Sequence, residues 1–492
     1  MLFNTFEFFI FFPVVTLLFY VLPHNVRWLL LLLASCYFYM AFIPAYILIL
    51  WGTIVIDYFA GIYIEKSTGK KRRLLLVVSL ISNIAVLFVF KYFNFFSENL
   101  TGLFSGFGIT CNLPYLSILL PIGLSFHTFQ AMSYTIEVYR GNQKPEKHFG
   151  IYALYVMFYP QLVAGPIERP QNILHQFHEK IKFNVSNLSS GLKLMAWGLF
   201  KKVVIADNLA SYVNQIYSDP HHYSSLPLIM ATLFFTIQIY CDFSGYSDIA
   251  LGAARCMGFK LMENFNRPYS ATSVSDFWKR WHISLSTWFR DYLYIPLGGN
   301  RVKIPLLYFN LFVVFLVSGF WHGANWTFIA WGALHGIYLV LAIVTGSLRE
   351  AISDKLFRGP LRRLRTGVNV MTTFVLVSLA WVFFRAQTIS DAFYIIKQSI
   401  TGLPADLARV IINQNMERLN LVYLGMDKIN FLILTVPVIM MEIIQYLQYK
   451  NGKRNILSAQ PAPVRLFAYT ALMLSILFFG KFGSQDFIYF QF

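Results

Sequence analysis

Apolar residues run along this chain in blocks of helical-span length. Between the blocks, stretches crowded with lysine and arginine alternate with stretches that carry neither. A membrane-spanning helix takes about 20 mostly apolar residues. Windows of that kind lie near 7–22, 26–43, 45–64, 74–93, 117–138, 190–214, 226–253, 305–320, 324–345, 367–385, 430–448 and 464–482. The blocks at 7–22 and 305–320 are short, which implies tilt or partial insertion. Two further stretches, near 151–165 and 274–296, are apolar but interrupted and read as re-entrant or interfacial. The predicted fold class is an all-α polytopic membrane protein with about 11–13 transmembrane or re-entrant helices, since only helices satisfy their own backbone within lipid. No fixed-period repeat or low-complexity linker divides the chain, and 387–429 is the one long polar connection, so a single integral membrane domain over 1–492 is expected.

Composition agrees with the pattern. Hydrophobic residues make up 57% of the 492 positions and charged residues 13%, where a soluble domain carries roughly 25%. Lys and Arg cluster at 65–73, 140–148, 255–303, 349–365 and 450–454, whereas 94–116 and 217–225 contain none. These alternate along the span order and place the basic loops in the cytoplasm and both chain ends outside it. The net charge of +17 therefore reads as loop asymmetry, and nucleic acid is discounted as a partner. The start of the chain lacks a basic region, so its first apolar run is expected to stay as a helix. Cys36, Cys111, Cys241 and Cys256 follow no metal or disulfide spacing.

Chemistry is then sought where polar groups are costly. His322 lies in Trp321-His322-Gly323-Ala324-Asn325-Trp326, at the bend between two apolar runs, and His335 follows in Trp331-Gly332-Ala333-Leu334-His335-Gly336. An imidazole at membrane depth is a functional-site hypothesis by default. A packing role, with the ring bonded to a backbone carbonyl at a helix crossing, is the alternative. As a base, His322 would take a hydroxyl proton, oriented by a partner such as Asn325; as a nucleophile it would carry the acyl group itself.

Between Ser275 and Tyr294, Phe277, Trp281, Leu285 and Trp288 fall on one helical face, with Lys279, Arg280, His282 and Ser286 off that stripe. Ser273 and Ser275 mark a capped start. Such a basic-aromatic helix suits an interfacial anchor, or a cytoplasmic tunnel wall where Lys279 and Arg280 meet phosphates. His282 favours the second reading, and Arg290 and Asp291 close the segment. Asp242 and Asp248 lie six apart inside 226–253 and do not share a helical face. Separate pairings are expected, with Arg255, Arg280 or Arg290 as partners. Gly165-Pro166-Ile167-Glu168-Arg169-Pro170 reads as a re-entrant loop, and His127 and Gln130 are polar residues within a span. The chain has no P-loop, G-x-S-x-G or H-E-x-x-H.

With these residues in view, the chain resembles the membrane-bound O-acyltransferases, and among them the alginate and peptidoglycan O-acetyltransferase branch. The matching pieces are Met1–Tyr20, Leu119–Arg140, Pro160–Pro170, Lys201–Asn208, Tyr240–Asp248, Met262–Tyr269, Phe277–Arg301, Gly319–Gly336 and the closing Phe487–Phe492, while 387–480 matches weakly. The resemblance implies that His322 is the family's essential histidine and His282 its second signature histidine. It implies a ring-like bundle around a central tunnel, with Lys279, Arg280, Trp281, Trp321, Asn325, Asp242 and Asp248 lining the donor side. His335, Arg290 and Asp291 then stand behind these residues. It further implies a multi-pass protein of the bacterial cytoplasmic membrane with no permanently bound cofactor. Acetyl-CoA would be the cytoplasmic donor, and the acceptor a cell-surface polysaccharide or an extracytoplasmic partner acetyltransferase. D-alanyl or other acyl transfer to teichoic acid or a lipid-linked glycan is the alternative within the class. A proton-coupled transporter or flippase is the alternative outside it, without an inverted repeat to support it.

Overall fold

The computed structural model describes residues 1–111, 113–412, 421, 423–424, 426–450, 457, 460–483 and 487–488. Among them every regular element is helical. Among the described residues eight helices are long and apolar enough to cross a membrane, and Phe6–Val21 is a shorter apolar helix. The described residues form two compact units, one holding residues 1–195 and 246–263, the other residues 196–245 and 264–488.

The first unit contains α1 (Phe6–Val21), α2 (His24–Met40), α3 (Ile47–Lys66), α4 (Gly69–Leu87), α5 (Phe93–Gly106), α6 (Leu124–Arg140), α7 (Phe149–Met157), α8 (Tyr159–Leu162), α9 (Pro170–His178) and most of α10 (Val185–Leu199). The span expected at 74–93 is longer than that. A π-helical turn at Phe88–Tyr92 joins α4 and α5 into one helical run to Gly106. Polar residues inside the added part are used locally. Asn94 exchanges hydrogen bonds with Leu116 in both directions, and Ser97 donates to the Pro114 carbonyl. The next helix starts at Leu124 rather than 117. Pro121 and Gly123 precede it, and Gly123 takes a φ of +77° in a place where a Cβ would meet the Leu162 carbonyl at 2.7 Å. The interrupted stretch 151–165 is indeed broken, into α7 and α8.

Where α3, α4 and α6 meet, buried Asp57 accepts from Ser79 Oγ (2.6 Å) and from Asn83 Nδ2 (2.8 Å), and Ser79 also reaches Thr135. Partners of this kind are what keep a carboxylate tolerable at membrane depth. The Gly165–Pro170 loop is tied down by fully buried Glu168, which accepts from the Met262 amide and from Asn172 Nδ2. Burial raises the Glu168 carboxyl to about 7, against the opposing effect of those two donors and Arg169.

The second unit begins with a π-helical turn at Phe200–Ala206, then α11 (Asp207–Ser218) and the first part of α12 (Ser225–Cys256). It continues through α13 (Val274–Trp278), α14 (Ile283–Phe289), α15 (Ile304–His322), α16 (Trp326–Val344), α17 (Gly346–Leu356), α18 (Arg362–Arg385), α19 (Ile389–Thr401), α20 (Leu403–Ile412), α21 (Lys428–Lys450) and α22 (Ala462–Phe479). The described part of the polar connection expected over 387–429 is therefore largely helical. Thr388 caps α19 by accepting from the Asp391 amide at 3.0 Å, and Ala392 and Ile395 give that helix a buried side. Residues 413–420, 422 and 425 of that stretch, 451–454 of the last basic cluster, and 489–492 lie outside the described residues.

Candidate active site

α15 and α16 form a hairpin whose backbones approach through glycine. A Cβ on Gly319 would lie 3.0 Å from Gly332 Cα and overlap the Phe328 carbonyl, and one on Gly336 would lie 3.1 Å from Phe312 Cα. Small residues permit this spacing between membrane helices. α15 ends at His322 because Gly323 is extended, and Asn325 then opens α16 by accepting from the Thr327 amide at 3.0 Å. His322 thus sits at the bend, as its place in the sequence indicated, and is buried. Its ring is edge-on to Trp321 (4.9 Å between centroids), Trp331 (5.0 Å) and Phe384 (5.3 Å).

His282 reaches the same indole by a different route. The stripe Phe277, Trp281, Leu285 and Trp288 is buried as its spacing predicts, and Ser273 caps the start through the Asp276 amide. The segment is not one helix, however. It breaks after Trp278, and His282 takes a left-handed φ of +43° before α14 begins. Backbone bonds from Asn266 N to Arg280 O and from Ile283 N to Asn264 O pin the break, both at 2.9 Å. The break swings His282 off the expected polar face and into the interior, where it is 0% exposed. Left-handed backbone costs a non-glycine residue about 1–2 kcal/mol, and surroundings that over-determine such strain are frequent at functional sites. Phe243 stands edge-on to the His282 ring at 4.6 Å, and Trp321 lies 6.5 Å away. Burial lowers the imidazole to about 3, so it is neutral across physiological pH.

The remaining residues singled out in the sequence divide clearly. Trp281 is buried, stacked on Phe277 at 5.5 Å and packed on Trp381 at 5.0 Å. Lys279 is exposed, and half-buried Arg280 is held by Asp276 at 2.8 Å. Arg290 is bound to its neighbour Asp291 at 2.7 Å, and Asn325 is exposed and serves as a helix cap. Asp248 is half-buried and belongs to the first unit. His335 is fully buried and accepts from Trp278 Nε1 at 3.2 Å, with Trp331 4.9 Å from its ring.

Asp242 does not use the arginines expected for it. Its partner is Lys202, 2.6 Å from Oδ1, and Lys202 is also 2.8 Å from Asp207. Two of the expected arginines, Arg280 and Arg290, are held by neighbouring carboxylates instead. The adjacent Lys201 donates to Ser244 at 2.9 Å and lies over the Tyr240 ring at 5.8 Å. In the sequence this pair of lysines figures only as the start of the matching piece Lys201–Asn208, although two cations inside a candidate span each call for a buried partner. Phe243, Trp331 and Phe384, the rings that enclose the histidines, have no site role in the sequence reading, because one aromatic among 49 Phe and 10 Trp carries no signal of its own.

The site is thus two buried imidazoles joined through one indole, inside a helical membrane unit. Comparison with known proteins bears on what that arrangement does. The model of the membrane-bound O-acyltransferase family matches residues 17–384. The chain is 36% identical to the peptidoglycan O-acetyltransferase of Helicobacter pylori, over 94% of this chain and 91% of that one. It is 39% identical to the probable alginate O-acetylase AlgI of Pseudomonas aeruginosa, over 78% and 72% respectively. A teichoic acid D-alanyltransferase of Streptococcus thermophilus is 28% identical, over 54% and 69%.

Proposed function

The chain belongs to the membrane-bound O-acyltransferase family and is a bacterial multi-pass membrane acyltransferase, and we propose that it moves acetyl groups from cytoplasmic acetyl-CoA to an extracytoplasmic hydroxyl. The acceptor would be a cell-surface polysaccharide of the peptidoglycan or alginate kind, or a partner acetyltransferase that relays the group. The observation that carries this reading is the pair of buried histidines sharing Trp321. The 36% identity to a peptidoglycan O-acetyltransferase over nearly the whole chain favours acetyl over D-alanyl transfer.

His322 acts as the general base. It takes the acceptor's hydroxyl proton as the oxygen attacks the thioester carbonyl. The tetrahedral intermediate collapses with cleavage of the C–S bond, and the departing thiolate takes the proton back from the imidazolium to leave as CoA thiol. Neutral, buried His282 supplies a fixed polar group beside the same indole, on the thioester side. Lys279 and Arg280 carry positive charge on the neighbouring turn, suited to the phosphates of CoA.

Purified protein incubated with labelled acetyl-CoA should release CoA and transfer label to a glycan acceptor. His322→Ala should abolish that transfer while leaving the protein folded and membrane-inserted. Retained activity in this variant would overturn the assignment. Preference for a D-alanyl thioester, or pH-coupled solute flux without CoA release, would replace it with one of the alternatives.

A further inference from the structure

The end of α22 and the residues just after it lie along the start of the second unit. Asn208 Nδ2 donates to the Phe479 carbonyl (2.9 Å), the Lys481 amide to the Val203 carbonyl (3.0 Å), and Lys481 Nζ to Ser211 Oγ (2.8 Å). Phe487 and Ile488 are then 1% and 3% exposed. The Ile488 amide donates to Asp242 Oδ2 at 2.7 Å, the oxygen opposite the one paired with Lys202. The Phe487 ring lies 5.7 Å from Phe243, the ring that stands edge-on to His282.

We propose that Phe487 and Ile488 are positioning residues for the His282 imidazole. Asp242, fixed by Lys202, takes the Ile488 amide and so seats Phe487 against Phe243, the wall of the His282 pocket. Two observations make this more than chain anchoring. Phe479 and Lys481 have backbone and amide bonds of their own at Val203 and Asn208, so the bond to Asp242 serves Phe487 and Ile488 specifically. Burying the Asp242–Lys202 pair is expensive, and it stands one residue from the ring that touches His282. The histidine itself occupies a strained backbone conformation, so its ring position depends on what packs around it. Phe265 completes the wall, edge-on to Phe243 at 5.0 Å and to Trp281 at 5.1 Å.

The catalytic consequence rests on the acyl-transfer reading of His282, and the test separates the two. Full-length Phe487→Ala, Phe487→Leu and Ile488→Pro proteins are purified beside wild type, His282→Ala and Phe478→Ala, a change at an exposed ring of α22. For each, acetyl-CoA turnover is measured per folded molecule. Carbethoxylation of His282 by diethyl pyrocarbonate is read separately by peptide mass spectrometry. Phe487→Ala and Ile488→Pro should lower kcat about 10- to 100-fold, the scale expected for displacing a reacting group. Their KM should stay within about threefold, since donor binding is not what they touch. Both should raise His282 modification several-fold, Phe487→Leu should recover most of the loss, and Phe478→Ala should match wild type. Unchanged His282 modification in folded Phe487→Ala and Ile488→Pro protein overturns the proposal, as does a loss of activity that merely tracks the amount of folded protein. Raised modification together with full turnover in His282→Ala upholds the positioning and removes His282 from the chemistry.

Discussion

Trp321 touches both histidines, its ring 4.9 Å from that of His322 and 6.5 Å from that of His282. It immediately precedes His322 on α15, whereas His282 arrives from a separate segment, so this indole is where the two parts of the site meet. Trp321→Ala is expected to lower kcat about 10- to 100-fold by releasing both imidazoles. Trp321→Phe, which keeps a ring in the gap, should lose much less. Steady-state kinetics with labelled acetyl-CoA on purified protein decide it, and an alanine variant with wild-type turnover would remove Trp321 from the site.

The glycine contact that sets the α15–α16 hairpin should be intolerant of volume. Gly332→Leu places a side chain where the Phe315 carbonyl and Gly319 already lie, and overpacking of this kind costs typically 1–3 kcal/mol. Gly346→Ala, whose Cβ meets nothing within 4 Å, should change stability by no more than about 0.5 kcal/mol. Thermal midpoints in detergent, read by loss of the monodisperse elution peak, compare the two. Equal midpoints would contradict the close approach.

Removing Lys202 leaves Asp207 and Asp242 buried without their shared cation. Lys202→Met is expected to destabilise by about 3–5 kcal/mol, the range for breaking one partner out of a buried pair. Combining it with Asp207→Asn and Asp242→Asn should restore most of the lost midpoint, because no charge then remains to be compensated. A triple variant no more stable than Lys202→Met would show that packing, not charge, is what the lysine supplies.

Glu168 predicts a pH dependence of stability. Burial raises its carboxyl from an ordinary 4.5 to about 7, so the folded state holds the proton more tightly than the unfolded one. The stability this contributes is complete below pH 4.5 and is lost as pH rises through 7. Glu168→Gln keeps an oxygen to accept from Met262 and Asn172 but carries no charge. Its thermal midpoint should therefore fall less than that of wild type between pH 5 and pH 8. Parallel curves for the two proteins would place the titration elsewhere.

The membrane class and most spans were legible because lipid demands long apolar runs, and such runs survive in one dimension. His322 was legible for the same reason, since a polar ring in an apolar run stands out. Where proline, glycine or a π-helical turn intervenes, the hydrophobic pattern lost the boundaries. The span at 74–93 runs on to Gly106, and the helix expected from 117 waits until Leu124. The break at His282 was invisible because its stripe of Phe277, Trp281, Leu285 and Trp288 keeps helical spacing across it.

By itself, then, the sequence determined a many-span helical protein with His322 at a bend, since burial in lipid acts on each segment separately. Only the tertiary structure decided what surrounds that histidine. It turned His282 inward through a left-handed residue pinned by Asn264 and Asn266, gave Asp242 to Lys202 rather than to an arginine, and brought Ile488 back to the same carboxylate. Each of these joins residues separated by a turn whose geometry, or a chain distance whose closure, no local pattern encodes. Buried polar groups accept whichever partner the packed helices bring within reach.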